Sequence, residues 1–282
     1  MSRLLKVLAV SLAVAAAIVY VGWIGLSLIE GVNIEKSENR YDQKCEFFDT
    51  IAMLDYEKAE AMLIKHPWLA NAPLAENEEE FGLTLCDDTP LIASGGRAKM
   101  MRLLLSYGAD VNAKTPFTGR YALTVFLAEG GANRYADADL LVSRGADVTI
   151  TDGKHGNIAH AALSYFTRGS ESEEKALLGY VKLAHENGLS FEMPDCDASE
   201  VNSLLGLAAK NGHHLAAKYL INELGFDPNA PVTADNKTPV MLAGLYGGYQ
   251  TVNALLEVGA DMNIKDDGGK SGFDYAGNSH KP

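Results

Sequence analysis

The 282-residue chain is 47% hydrophobic and 22% charged, the composition of a folded body. Its formal net charge is −13, and because Arg3 and Lys6 stand alone in the head, residues 30–282 carry 22 basic against 37 acidic groups, a net −15. Such a surface repels nucleic-acid phosphates and anionic lipid headgroups and speeds encounter with a basic protein patch, while three cysteines exclude a disulfide scaffold.

Residues 1–6 form a short basic head. Val7 to Ile29 then runs 23 residues without a charge, about 34 Å as a helix at ~1.5 Å per residue, enough to cross a bilayer. Tyr20 and Trp23, near its far end, suit the membrane interface. The alternative is a cleaved signal peptide, with Arg3 and Lys6 as its basic start and Ala15-Ala16-Ala17 as the cleavage site. The apolar run continues well past those alanines, which favours an uncleaved anchor over 7–29. Lys/Arg counting across it is nearly even, Arg3 and Lys6 against Lys36, Arg40 and Lys44. The signal-like head favours the amino terminus inside and the rest exported, into the periplasm of a Gram-negative cell.

A linker over 30–44 leads into a repeated pattern that spans 45–276. Glu46–Ala72 has the spacing of two helices, with Phe47, Phe48, Ile51, Met53, Ala59, Met62 and Leu63 as the apolar set, but ends at His66-Pro67-Trp68-Leu69 without a closing glycine. Glu76-Asn77-Glu78-Glu79-Glu80 reads as a solvated loop. Thr89-Pro90-Leu91 opens a second unit that closes on Gly108-Ala109-Asp110-Val111-Asn112. Later units close on Gly145-Ala146-Asp147-Val148, on Gly188, on Gly225, and on Gly259-Ala260-Asp261-Met262-Asn263. The intervals are 37, 43, 37 and 34 residues.

Each unit is a helix pair by its own residues. Thr238 is placed to cap a helix whose first turn holds Pro239, where the missing N–H costs nothing. Val252, Leu255 and Leu256 stand at helical spacing, and Gly259 fits a left-handed helix end. The first helix of the second unit is short of residues, and the fourth unit inserts a polar stretch, Thr167 to Lys175, before a helix around Leu177–Glu186. Gly272-Phe273-Asp274-Tyr275-Ala276 reads as half a unit, followed by a tail, 277–282. A pair of helices cannot bury its apolar stripe alone and must stack on a neighbour.

The Thr-Pro-Leu…Gly-Ala-Asp-Val-Asn wording resembles the ankyrin repeat, whose usual period is 33 residues, over roughly 46–276. His160, in Asn157-Ile158-Ala159-His160-Ala161-Ala162, matches the histidine of that family's consensus, and His213 occupies its usual Gly-His turn. The resemblance implies an all-α ankyrin-repeat solenoid of helix-turn-helix units and hairpin loops, about six units plus a partial carboxyl-terminal cap, preceded by one amino-terminal transmembrane helix.

Catalytic chemistry finds no support. Gly268-Gly269-Lys270-Ser271 is similar to the tail of a phosphate loop, but Ile264 stands where the motif needs a glycine. Adjacent His213 and His214 lack the spacing of a helical zinc pair. No cofactor, no metal, no small-molecule substrate and no enzymatic activity are expected. If the array is exported, Cys45 and Cys86 are a candidate disulfide, which needs Cα atoms within about 7 Å; Cys196 is a free thiol.

Binding remains, and loops on a rigid scaffold are where it concentrates. By position the hairpin tips carry Asp87 and Asp88, Phe117 and Arg120, Lys154 and His155, Asp195 and Asp197, then Asp235, Asn236 and Lys237, and finally Asp266 and Asp267. Phe117 reads equally as a binding anchor or a local plug. For each single residue ordinary turn chemistry is the competing explanation, since Asp and Asn favour turns. The resemblance to tethered bacterial ankyrin proteins implies an inner-membrane, single-pass protein whose periplasmic repeats bind a protein with a basic surface. One role that fits is an immunity protein blocking a secreted toxin, such as a phospholipase. The alternatives are a scaffold or accessory protein for an envelope or stress-response enzyme, and, with reversed orientation, a cytosol-facing membrane adaptor.

Overall fold

A computed structural model of the chain describes residues 40–73, 88–129, 131–164, 171–192 and 201–276. The head, the segment 7–29, most of the linker, residues 76–80, Cys86, Asp87, Asp195, Cys196, Asp197 and the tail lie outside the described residues. Among those described, no helix is long and apolar enough to cross a membrane.

The described residues fold into six helix pairs and one single helix. The pairs are α1 (40–52) with α2 (Tyr56–Lys65), α3 (Pro90–Ala93) with α4 (Ala98–Ser106), and α5 (Ala122–Glu129) with α6 (Arg134–Ser143). Then come α7 (Ile158–Leu163) with α8 (Glu171–Glu186), α9 (Leu204–Asn211) with α10 (His214–Asn222), and α11 (Pro239–Leu242) with α12 (Gly248–Glu257). The last helix, α13 (Gly272–Ala276), stands alone. Extended structure among these residues is limited to isolated bridges, Lys114 with Tyr121, Asp152 with Gly156 and Lys265 with Ser271, which close hairpin loops between units.

The first helices start where a capping side chain meets an orphan amide. Thr89 Oγ1 accepts from the Ile92 amide at 3.3 Å, Asn157 Oδ1 from Ala159 at 3.0 Å, and Ser203 Oγ from Leu205 at 3.3 Å. The second helices end alike. Gly108, Gly145, Gly188, Gly225 and Gly259 take φ of 82°, 89°, 67°, 73° and 96°. A Cβ at any of the five would meet nothing within 4 Å, so the left-handed backbone, not crowding, selects glycine. The amide that follows reaches back to the closing turn, as from Ala109 to the Leu104 carbonyl and from Ala260 to Leu255, both at 3.0 Å.

Units are tied together by asparagines. Asn112 donates to the Gly145 carbonyl at 3.1 Å and accepts from the Asp147 amide at 2.8 Å. Asn229 makes the same pair of bonds to Gly259 and Asp261, at 3.1 and 2.7 Å. The first unit lacks the closing glycine, but a 3₁₀ turn, Pro67–Asn71, delivers Asn71 to Gly108 and Asp110 at 2.8 and 2.6 Å. Inner helices are sandwiched on both sides: every residue of α7 is buried, and so is α5 from Ala122 to Ala128.

Four local expectations need correction. α1 begins at 40, inside the expected linker, where the Arg40 guanidinium lies 5.3 Å from the Trp68 ring. Met53 is not core: α1 ends before it and leaves it 82% exposed. The second unit does have a first helix, but α3 is four residues long and runs into two left-handed glycines, Gly95 and Gly96. The inserted polar stretch is helical from Glu171, giving α8 sixteen residues. Glu171, Glu173 and Glu174 occupy its first turn, where the helix dipole favours carboxylates, and Lys175 pairs with Glu171 at 2.7 Å.

That extension places Glu174 in the seam between two units. Its side chain is buried, with Oε1 3.0 Å from His213 Nδ1 and Oε2 accepting from the Leu215 amide at 3.3 Å. His214 Nδ1 lies 3.6 Å away. The carboxylate therefore serves a fully buried imidazole and the open start of α10 at once. Glu174→Ala is expected to cost about 2–4 kcal/mol, because it strips a buried group of its partner. Urea unfolding will read this as a lower midpoint at unchanged slope, whereas Glu171→Ala on the exposed face leaves the midpoint in place.

Candidate protein-interaction surface

The hairpin loops share an internal plan. At the same position in four of the hairpin loops stand Thr115, Asp152, Thr233 and Asp266, all buried. Each side chain accepts amides from across its own turn: Thr115 from Arg120 at 2.9 Å, Asp152 from Lys154 at 2.9 Å, Thr233 from Lys237 at 2.9 Å and Asp266 from Lys270 at 2.9 Å. Asp152 is also bonded by Thr124, and Asp266 by the Tyr275 hydroxyl. Asp266, expected at a tip, is thus turned inward; its neighbour Asp267 is the exposed one.

The expected tip residues of three successive units converge. Arg120 Nη2 lies 3.1 Å from Asp88, its Nε donates to Thr118 at 3.1 Å, and Nη1 lies 3.8 Å from Glu129. Glu129 also pairs with Lys154, and His155 Nε2 lies 3.3 Å from its Oε1. Burial pushes the Glu129 carboxyl up, but Lys154, His155 and Arg120 outweigh that and hold it below the usual carboxylate range. His155 is buried, and burial pushes its imidazole down against the opposing pull of Asp152 and Glu129. These pairs are partly exposed, so each is worth only about 0.2–1 kcal/mol. Their consequence is a fixed polar frame. Phe117 projects from the turn of that frame, 49% exposed.

Glu129 was not among the expected residues. It lies at the end of an inner helix rather than in a loop, and its only signal in the sequence is a carboxylate just before Gly130-Gly131.

A second group forms at the other end of the array. Asp235 pairs with Lys237 and accepts from Thr233 Oγ1 at 2.7 Å, and these bonds, Lys237 first, lower its carboxyl. Asn236, at φ 58°, donates to Asp267 at 2.8 Å, and the Asp267 amide donates to the Asp235 carbonyl at 3.1 Å. Beside this group, a cleft of about 430 Å³ is walled by Val201, Leu242, Leu245 and Tyr246 and edged by Lys210 and Lys237. Among the described residues, no group of three or more His, Cys, Asp or Glu side chains could hold a metal ion. Cys45 is a free, half-buried thiol on α1, while Cys86 lies outside the described residues.

His160 is buried, with Nδ1 2.9 Å from Asn157 Oδ1 and Nε2 2.8 Å from the Glu192 carbonyl. It therefore ties the inner helix α7 to the segment that follows α8.

Family comparisons agree with this architecture. A model described as ankyrin repeats in three copies matches residues 175–266, and a single ankyrin-repeat model matches 86–116. No curated protein matches the chain. Among solved structures, the crystal structure of the human ASB11 ankyrin repeat domain is similar in fold, with a TM-score of 0.52 at 17% identity, covering 82% of this chain and 90% of that one.

Burial holds both His155 and His160 below the ordinary imidazole range, with Glu192 opposing it at His160. The folded state then binds these protons less tightly than the unfolded one, so stability is retained above about pH 6.5 and lost as the pH falls through that value. The expected result is that both ring resonances titrate below a free imidazole in an NMR titration. Thermal melts should shift downward between neutral pH and about 5.5.

Proposed function

This chain is an ankyrin-repeat protein, and on that premise we propose that it is a membrane-tethered binding protein whose hairpin tips grip a partner with a basic surface. Ankyrin repeats are in general protein-interaction modules. The observation that carries the reading is the frame of Asp88, Arg120, Glu129, Lys154 and His155 across three units, with Phe117 exposed beside it. An aromatic anchor within a pre-ordered polar rim is the usual anatomy of an interface centre, and a frame already ordered loses little entropy on binding.

The charge-free stretch 7–29 supports a tether, and the net −15 of residues 30–282 supports a cationic partner. A tethered acidic inhibitor would suit immunity against a secreted toxin that acts in the periplasm: the anchor keeps it where the toxin arrives, and the acidic body draws in a basic active-site rim.

A photo-crosslinking residue in place of Phe117, in whole cells, with captured proteins identified by mass spectrometry, tests the proposal. Recovery of a secreted hydrolase is expected, with Phe117→Ala lowering affinity for it by about 10–100-fold and loss of the gene sensitising cells to it. A resident envelope enzyme as the captured protein would replace the inhibitor role with a scaffold role. Cytosolic proteins alone would reverse the proposed orientation.

A further inference from the structure

The hairpin from Asp152 to Gly156 departs from its counterparts three residues after the buried acid. Counted from that buried position, the place of His155 is taken by Asn236 after Thr233 and by Gly269 after Asp266. Both of those are exposed and adopt the left-handed backbone, at φ 58° and 74°. In this hairpin the left-handed residue is Gly156, one place later, at φ 66°. The shift folds His155 inward: Asp152 Oδ1 accepts its amide, and its side chain is 7% exposed.

The imidazole is left one step short of a bond. Nε2 is buried without a hydrogen-bond partner, yet lies 3.3 Å from Glu129 Oε1. A neutral ring out of line with its acceptor gains little there; a protonated ring gains a charge-assisted bond. The charged groups facing His155 are Glu129 from α5, Asp152 and Lys154 from its own loop, and Arg120 from the loop before, with Asp88 behind Arg120. On the side of the following unit, the described Glu192 gives its carbonyl to His160. As the pH falls, the surrounding cations keep Glu129 ionised, so the proton goes to the ring. Glu129 Oε1 already takes Lys154, and the longest contact in the frame is from Glu129 Oε2 to Arg120, at 3.8 Å. Closing Oε1 onto His155 lengthens that contact first. Arg120 then keeps Asp88 and Thr118, both at 3.1 Å, and Thr118 is the residue next to Phe117.

We propose that His155 is a proton-operated latch on the Phe117 loop. Uncharged, it leaves Glu129 shared between Lys154 and Arg120; protonated, it draws Glu129 inward and uncouples Arg120, and with it the turn that carries Phe117, from α5. A partner gripping Phe117 is therefore held at neutral pH and released in mildly acidic surroundings. That consequence rests on the proposed reading of Phe117 as a binding anchor, whereas the latch itself is a property of the chain alone.

A fluorinated phenylalanine in place of Phe117, in the full-length chain in detergent micelles, reads the latch without any partner. Its fluorine NMR resonance is expected to move with a single midpoint below about pH 6.5, in step with the His155 ring, while far-UV circular dichroism stays constant. His155→Gln and Glu129→Gln should each abolish the movement, and His185→Gln, at an exposed position of α8, should preserve it. Glu129 is partly exposed, so its variant keeps the comparison open should His155→Gln melt early. A resonance that stays fixed while the His155 ring titrates overturns the proposal, as does movement that survives in either frame variant or that follows a loss of helicity. Failed crosslinking through Phe117 in cells, with this titration intact, would remove the binding reading and leave the latch; the reverse pair of results would remove the latch alone.

Discussion

Every helix pair in this chain has two flanks to cover and can cover neither alone. The rest of the structure follows from that constraint. It explains why inner helices such as α5 and α7 are buried along their length, since each is faced by another on both sides. It also explains why the polar ties are placed between units rather than within them. Asn71, Asn112 and Asn229 each use one amide side chain to hold both a carbonyl and an amide of the next closing turn, fixing the spacing of the stack at points that apolar packing, which is not directional, leaves free. Glu174 does a similar job by a different route, reaching from a lengthened α8 to the start of α10.

Local chemistry was legible in the sequence chiefly where it was self-contained. All five closing glycines adopt the left-handed backbone that their positions imply, whereas Thr238, placed to cap the helix that opens on Pro239, makes no side-chain cap bond and its hydroxyl is buried without a hydrogen-bond partner. What depended on a partner distant in the chain was not legible. Asn71 has no glycine before it to mark it, yet it matches Asn112 in being followed by alanine, and the stack gives it the same two bonds. The polar run from Glu171 looks like an insertion because its apolar content is low; it is helical because Glu174 has a buried imidazole to meet in the next unit.

The hairpin tips show the same division. Asp266 and Asp267 are adjacent and identical, and no local rule separates them. The turn sends the first inward to Tyr275 and the second outward to Asn236. Asp88, Arg120, Lys154 and His155 were legible as tip residues, but their convergence was not, because its hub, Glu129, belongs to a helix. A carboxylate there, held ionised by cations from two neighbouring units, turns three separate loops into one surface.

The stacking constraint has to be met or left open at each end of the described array. At the amino-terminal end, α2 exposes Glu57, Lys58, Glu60 and Lys65 to water, with Ile64 the one large apolar side chain exposed among them. At the carboxyl-terminal end, the corner that reads Lys210-Asn211-Gly212-His213-His214 in the fifth unit becomes Leu245-Tyr246-Gly247-Gly248-Tyr249 in the sixth. The buried histidine of the former, held by Glu174, is replaced by a glycine at φ 75°, and Leu245, Tyr246 and Tyr249 are left outside. A unit that served only to end the stack would be expected to carry a polar outer face, since terminal repeats are capped for solubility. Both described ends depart from that expectation, with Met53 and Ile64 exposed at one and Leu245, Tyr246 and Tyr249 at the other.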